Sequence, residues 1–598
     1  MSSTNTKFQN APRSTNKPVE CALTGAAVLQ SPYFNKGSAF TEEERKLFGL
    51  RGLLPSNVQT LDEQVKRAYA QYSSRTSNIA KNTFMSSLFE QNQTLYYRLI
   101  LEHLKEMFPI IYTPTEGEAI ANFSKIFRRP EGCFLSVNEP DLIEQQLDSF
   151  GDPDNVDIIV VSDGEQILGI GDQGVGGILI SVAKLILYTL CAGIHPHRTL
   201  PVVLDCGTDN EELLNDEIYL GNRHKRVRGE KYDNFVDRFV TTVKKRYPKA
   251  YLHFEDFGLT NARRILDKYT DQLACFNDDV QGTGCVTLAA IYAATHVAKI
   301  DIKDIRVVCF GAGSAGTGIA DQISDAIAVE SGKSTEEARK QIFCVDKPGL
   351  LTTSTDLTSA QKRYAKEDSD YPSDKHKDLL SVIKSVKPHV LIGTSTQPGS
   401  FTKEIVQAMA EQLDGTRPII FPLSNPTRLH EAVPKDLLHW TDGKALVATG
   451  SPFDPVEVNG KKIEIAECNN STCFPGLGLG AVLSGTKLMT KEMLVAATKA
   501  LAAESPAMQK KDGALLPDVE DVRRISVGIA AGVIREAVKS GLETVKGIPE
   551  GDELKEWVEV QMWSPEYREY KRVKAETSTA EAKGEVGSKA RRHAPGVA

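Results

Sequence analysis

Apolar positions recur at helical spacing through the first part of the chain, in "TEEERKLFGLRGLLP" (41–55) and "QNQTLYYRLILEHLKEMFP" (91–109). This predicts a helical region over 24–130. From about residue 156 the pattern changes. Short apolar runs, "VDIIVVS" (156–162), "LPVVLD" (200–205) and "AYLHFED" (250–256), alternate with longer helical stretches, the order that builds a parallel sheet. A second alternating stretch starts near 281, where the helix "CVTLAAIYAATHVAK" precedes strands "IRVVCF", "IFCVD", "HVLIGT" and "PIIFPLS". Helices return after "CFPGLGLGAVLSG", notably over 522–541. The expected class is α/β, with one parallel-sheet domain of 131–280 and 468–540, and another of 281–467. The helical domain precedes them and an extension over 541–575 follows.

Three segments need separate treatment. "GVGGILISVAKLILYTLCAGI" (174–194) is long enough to cross a bilayer. It carries Lys184 at its centre, where charge is expensive in lipid, so it reads as the buried helix of a large domain. The acid-poor start (1–23) and the end (576–598), which is low in bulky apolar residues, are expected to be disordered tails.

Composition changes the picture little. A net charge of −8 over 598 residues gives no preference for nucleic acid. Ten cysteines without a CxxC pair fit reduced thiols inside a cell, the cytoplasm being favoured over the mitochondrial matrix.

Chemistry concentrates in a few places. "CFGAGSAGTG" sets Gly311, Gly313, Ser314, Ala315 and Gly316 between an apolar strand and a helix, the context in which glycines admit a dinucleotide pyrophosphate. The next strand ends in Asp346, placed to accept hydrogen bonds from a ribose, and "VLIGT" ends another strand at Gly393. This domain is therefore expected to be of the Rossmann type. "HFEDFG" puts Glu255 and Asp256 side by side at a strand end. They either face water, pair with Arg263 or Arg264, or hold a cation, because uncompensated burial of both would be costly. In "FNDDVQG", Asp278 and Asp279 precede an apolar helix, which cap and dipole effects also favour. Glu255, Asp256 and Asp279 together would make an oxygen-only site for Mg²⁺ or Mn²⁺. Lys184 either pairs with an acid such as Asp278 or, with its charge disfavoured by apolar neighbours, serves as a general base. Tyr112 precedes an expected capping box of Thr115 and Glu118 and is either a core tyrosine or a proton donor.

These segments, with "GLLP", "IYTPTEGEA", "ILGIGDQGVGG", "LPVVLDCGTDNEELLND", "SNPT", "ATGSPFDPV" and "CNNSTCFPGLGLG", resemble the malic enzyme family, in particular its fungal and other eukaryotic members, over about 40–570. The resemblance implies oxidative decarboxylation of (S)-malate to pyruvate and CO₂ with NAD. It assigns the cation to Glu255, Asp256 and Asp279, the general base to Lys184 with Asp278 beside it, and the proton donor to Tyr112. Asn425, Asn469 and Asn470 would bind substrate, Asn425 also bordering the cofactor. A homotetramer built as a dimer of dimers is implied, with no nucleic-acid or membrane partner.

The sequence departs from the family in places. Gln166 stands where an arginine commonly grips a substrate carboxylate. Fumarate-activated relatives use two arginines; Arg67 matches one, but Gln91 occupies the other place, which argues against that activation. Lys347 after Asp346 looks like NAD-using members, whereas Arg363 lies near the lysine of NADP-using ones, so NADP use stays open. The rival readings are malolactic enzyme, making lactate with bound NAD, and a non-catalytic nucleotide sensor on the same fold.

Overall fold

The computed structural model describes residues 17–574 together with Phe8 and Arg13. They form two compact units, one of residues up to Gly258 with those from Ile548 onward, the other Leu259–Gly547.

In the first unit, four parallel strands lie in the order Cys133–Ser136, Thr199–Asp205, Ile158–Ser162, Tyr251–Phe254. Ile158–Ser162 and Tyr251–Phe254 are buried at every residue, as expected of strands covered on both faces. The apolar segment 174–194 folds as a short 3-10 turn, Gly174–Gly177, and the helix Ile178–Ala192, which packs on Ile158–Ser162 and Thr199–Asp205. It passes a length-and-hydropathy test for a membrane span, yet 89% of that window is buried inside the protein. The helical region contains, among others, Leu61–Ser73, Asn78–Gln91, Gln93–Glu102 and Leu104–Ile111.

The expected N-terminal tail is corrected at its end. Val19–Cys21 pairs in parallel with Tyr570–Arg572, because Val19, Cys21 and Tyr570 bury their side chains with Phe34, Phe40 and Phe48. Of residues 1–16, all but Phe8 and Arg13 lie outside the described residues, as does 576–598.

The second unit holds a seven-stranded sheet in the order Ala466–Glu467, Leu446–Thr449, Ile419–Pro422, Val390–Gly393, Val307–Phe310, Ile342–Asp346, Gly349–Leu350. All pairings are parallel except the last. In register, Phe310 stands opposite Gly393 and Val345, so the loops after three adjacent strands leave from one edge, where such sheets bind ligands. The contacts group residues differently from the expectation. Helix Val522–Lys539 packs on Phe474–Ser484 and Lys491–Ala503, and the latter packs on Thr283–Ala298. Residues 468–540 therefore group with the Rossmann-type sheet in the second unit.

Candidate active site

Lys184 lies mid-helix and is 2% exposed. Its Nζ meets Glu255 Oε1 at 3.0 Å and sits 5.4 Å from the centroid of the Tyr112 ring. The sequence left a pairing with Asp278 open; within this unit the partner is Glu255. Glu255 follows directly on strand Tyr251–Phe254 and is as buried as Lys184. Its other oxygen, Oε2, lies 2.6 Å from His253 Nε2, and His253 Nδ1 is 2.9 Å from Tyr188 Oη.

Asp256 adopts a left-handed backbone (φ 52), so the chain turns sharply where the strand ends. Its Oδ2 accepts the Leu168 N–H at 3.1 Å, and its carbonyl accepts the Gln166 N–H at 3.2 Å. That loop is itself pinned. Arg226 donates to both oxygens of Asp172 and to the Asp163 carbonyl. Burial pushes the Asp163 carboxyl up to about 6, with Arg226 and a 2.6 Å bond from Tyr232 opposing it.

Tyr112 is buried and packs against Phe108, ring centroids 5.8 Å apart. The expected capping box after it does not form. Thr115 is the first residue of helix Thr115–Ala121, Pro114 occupies the cap, and Thr115 Oγ1 has no hydrogen-bond partner. A threonine inside the first turn cannot present its hydroxyl to the third N–H as a cap does.

In the second unit, strand Cys275–Asn277 runs into a π-helical turn, Asp278–Gly282, a departure from regular helix that recurs at functional sites. Asp278 is buried, and Asn470 Nδ2 donates to its Oδ2 (3.1 Å) and its carbonyl (3.2 Å). Asp279 is half-buried. Asn469 serves locally. Its Oδ1 accepts from the Ser471 N–H and hydroxyl, and its Nδ2 donates to Glu467.

The glycine loop has the form dinucleotide binding needs. Gly311 has φ +102, and a Cβ there would stand 2.5 Å from Thr394; a Cβ at Gly316 would stand 1.9 Å from the Gly311 carbonyl. Gly313 is exposed, with nothing near its missing Cβ. It caps the 18-residue helix Ser314–Ser331 without a side-chain bond, so the first-turn N–H groups of Ser314, Ala315 and Gly316 point at the loop. Asp346 accepts the Ala312 N–H at 2.8 Å and the Lys347 N–H at 2.7 Å, and its carboxylate retains acceptor capacity for a ribose. Gly393 ends its strand against the Glu431 carboxylate. Asn425 accepts the Ser451 hydroxyl at 2.6 Å.

Two family models match the chain. "Malic enzyme, N-terminal domain" matches residues 89–270, and "Malic enzyme, NAD binding domain" matches 280–538. The chain belongs to the malic enzyme family. It is 50% identical to the "NAD-dependent malic enzyme, mitochondrial" of Saccharomyces cerevisiae, over 94% of this chain and 85% of that protein. It is 49% identical to the "NAD-dependent malic enzyme" of Schizosaccharomyces pombe, over 94% and 100%. The Entamoeba histolytica malic enzyme structure superposes with a TM-score of 0.52 at 22% identity, covering 86% of this chain and 91% of that one. At that identity the likeness speaks for the fold alone.

Within the malic enzyme frame, the position of Gln166 is explained even though its side chain departs from the family. Its backbone is tied to Asp256, so residue 166 sits beside the acids whichever side chain it carries. Two buried groups were passed over in the sequence. Glu431, fully buried, accepts from Ser395 N–H and Oγ (both 2.8 Å) and from Ser424 Oγ (2.5 Å), joining the loops after two strands beside the glycine turn. His253 is the other. Its spacing of two from Glu255 along extended chain was the available signal, since alternate residues share a side.

Proposed function

We infer that the protein is a malic enzyme, converting (S)-malate and NAD, with the assistance of a divalent cation, into pyruvate, CO₂ and NADH. The observation that carries this reading is membership of the family over both halves of the chain, together with a buried lysine on a buried carboxylate.

Glu255 and Asp256, adjacent and 2% and 5% exposed, fit a hard cation by donor chemistry, and Asp279 would complete the set. Bound there, Mg²⁺ or Mn²⁺ would supply Lewis-acid stabilisation of negative charge on the malate C2 oxygen. Lys184 takes the C2 hydroxyl proton as hydride leaves for the nicotinamide. Tyr112 gives a proton to C3 after CO₂ departs. Asp278, held by Asn470, is assigned to support the proton transfer; Asn425, Asn469 and Asn470 orient malate. Gly311, Gly313, Ser314, Ala315, Gly316, Asp346, Lys347 and Gly393 hold the dinucleotide. The assembly is taken to be a homotetramer, and the compartment a reducing intracellular one, which ten cysteines outside any disulfide among the described residues favour.

Excess chelator should abolish turnover, and Mn²⁺ or Mg²⁺ should restore it. Asp256→Asn keeps a side chain tolerated in the left-handed region; it should cost at least the roughly 10–100-fold in Mn²⁺ affinity that outer partners alone can cost. Titration calorimetry checks this, and undiminished activity in chelator would sink the cation reading.

NAD is expected to be the better cofactor by kcat/KM. Arg363 is already engaged, 3.0 Å from Asp267 and 3.8 Å from Asp321, so a 2′-phosphate must compete with two acids for it. Arg363→Gln should lower any NADP activity and leave NAD use nearly unchanged; a strong NADP preference in the parent refutes this. The same assay, following end products, should give pyruvate with one NADH per malate. Lactate without net NADH would mean malolactic chemistry instead.

A further inference from the structure

Lys184 and Tyr188 are four apart on helix Ile178–Ala192 and so share a face. His253 and Glu255 are two apart where an extended strand ends and share a side. The two spacings mesh. Lys184 meets Glu255 at 3.0 Å, Tyr188 meets His253 at 2.9 Å, and His253 joins Glu255 at 2.6 Å. Tyr188 and His253 are both wholly buried, rings edge to face at 5.8 Å and 84°.

The hydrogen roles follow from the partners. Glu255 pairs with Lys184 through Oε1, and an ionised carboxylate only accepts, so the 2.6 Å contact to Oε2 is made by an N–H at His253 Nε2. Nδ1, on the far side of the ring, shares the second hydrogen bond with the Tyr188 hydroxyl at 2.9 Å. Each member of the chain fixes the next, and Glu255 is gripped at both oxygens by different elements.

We propose that His253, braced by Tyr188, is a positioning residue that fixes the rotation of the Glu255 carboxylate for cation binding. This rests on the cation reading above. Buried partners of metal-binding carboxylates set ligand orientation, and losing one costs about 10–100-fold in affinity. Here the partner is an imidazole from the same strand, locked by a hydroxyl from the neighbouring helix, so that a side chain two layers from the cation contributes to its affinity.

The test compares the parent full-length protein with His253→Leu, His253→Gln and Tyr188→Phe. Mn²⁺ affinity is measured without substrate from the free-ion electron paramagnetic signal, alongside NAD affinity by fluorescence and thermal melting. His253→Leu should bind Mn²⁺ about 10–100-fold more weakly with NAD affinity unchanged. His253→Gln, which restores an N–H donor, should recover most of that loss, a rescue that packing alone does not produce. Tyr188→Phe should show a smaller loss of the same sign, and it decides the matter should His253→Leu not fold, since it removes one buried oxygen and keeps the ring. Parental Mn²⁺ affinity in a folded His253→Leu, or in Tyr188→Phe if the leucine variant does not fold, overturns the inference alone. A parent protein that binds no Mn²⁺ overturns the cation reading and the inference together.

Discussion

Lys184→Met is expected to stop malate oxidation and to lower the melting temperature of the metal-free protein. Methionine keeps an unbranched apolar stem in the helix and removes only the ammonium. The rate effect comes from losing the base, a contribution of about 10²–10⁴-fold. The stability effect has a separate origin. Lys184 and Glu255 are each 2% exposed and 3.0 Å apart. Removing one partner of a buried ion pair strands the other, at about 3–5 kcal/mol. The two effects can be separated with a cation. Mn²⁺ restores positive charge near Glu255 but supplies no base, so it should recover part of the melting temperature and none of the rate. Steady-state NADH formation and calorimetric melts, each with and without Mn²⁺, read both. A variant that keeps activity within about tenfold of the parent would falsify the role of Lys184 as the base.

Tyr112→Phe is expected to separate the two halves of the reaction. The buried ring keeps its contact with Phe108 and its place 5.4 Å from Lys184 Nζ; only the hydroxyl goes. Hydride transfer does not need that hydroxyl, so reduction of oxaloacetate by NADH should persist. Protonation at C3 does need it, so malate-to-pyruvate turnover should fall by about 10²–10⁴-fold. Stopped-flow absorbance of NADH reports the first half and pyruvate release the second. Equal losses in both would remove Tyr112 from the acid role and leave it a packing residue.

Much of this is legible in the sequence. The runs "IIVVS", "IFCVD" and "VLIG" are strands because buried parallel strands carry unbroken apolar stretches, and the glycine turn was readable because its neighbours were a strand and a helix. Lys184 stood out as one charge in a helix otherwise apolar. What stayed hidden depends on long-range geometry. Nothing in a three-residue strand announces a partner about 550 residues away, so Val19–Cys21 reads as tail in the sequence. Thr115 and Glu118 had capping-box spacing, but the helix begins at Thr115, one step too early for that threonine to cap it. The pairing of Lys184 with Glu255 is not legible, because Glu255 reaches the helix from a strand end. His253 was hidden because its role depends on which helix face meets which strand side.

The pairing of Val19–Cys21 with Tyr570–Arg572 bears on the order in which the chain matures on the ribosome. The first unit takes residues from both ends. Trp563 N–H bonds the Gly193 carbonyl at 2.7 Å, and the Tyr567 hydroxyl joins Gln64 and Asn92 at 2.7 Å each. The Rossmann-type unit is one uninterrupted stretch, Leu259–Gly547. Domains ordinarily fold in the order they are synthesised. Here the later-encoded unit has all its residues first, and the earlier-encoded one must wait, with the apolar faces of Val19, Cys21 and Phe34 uncovered, until Tyr570–Arg572 has been made.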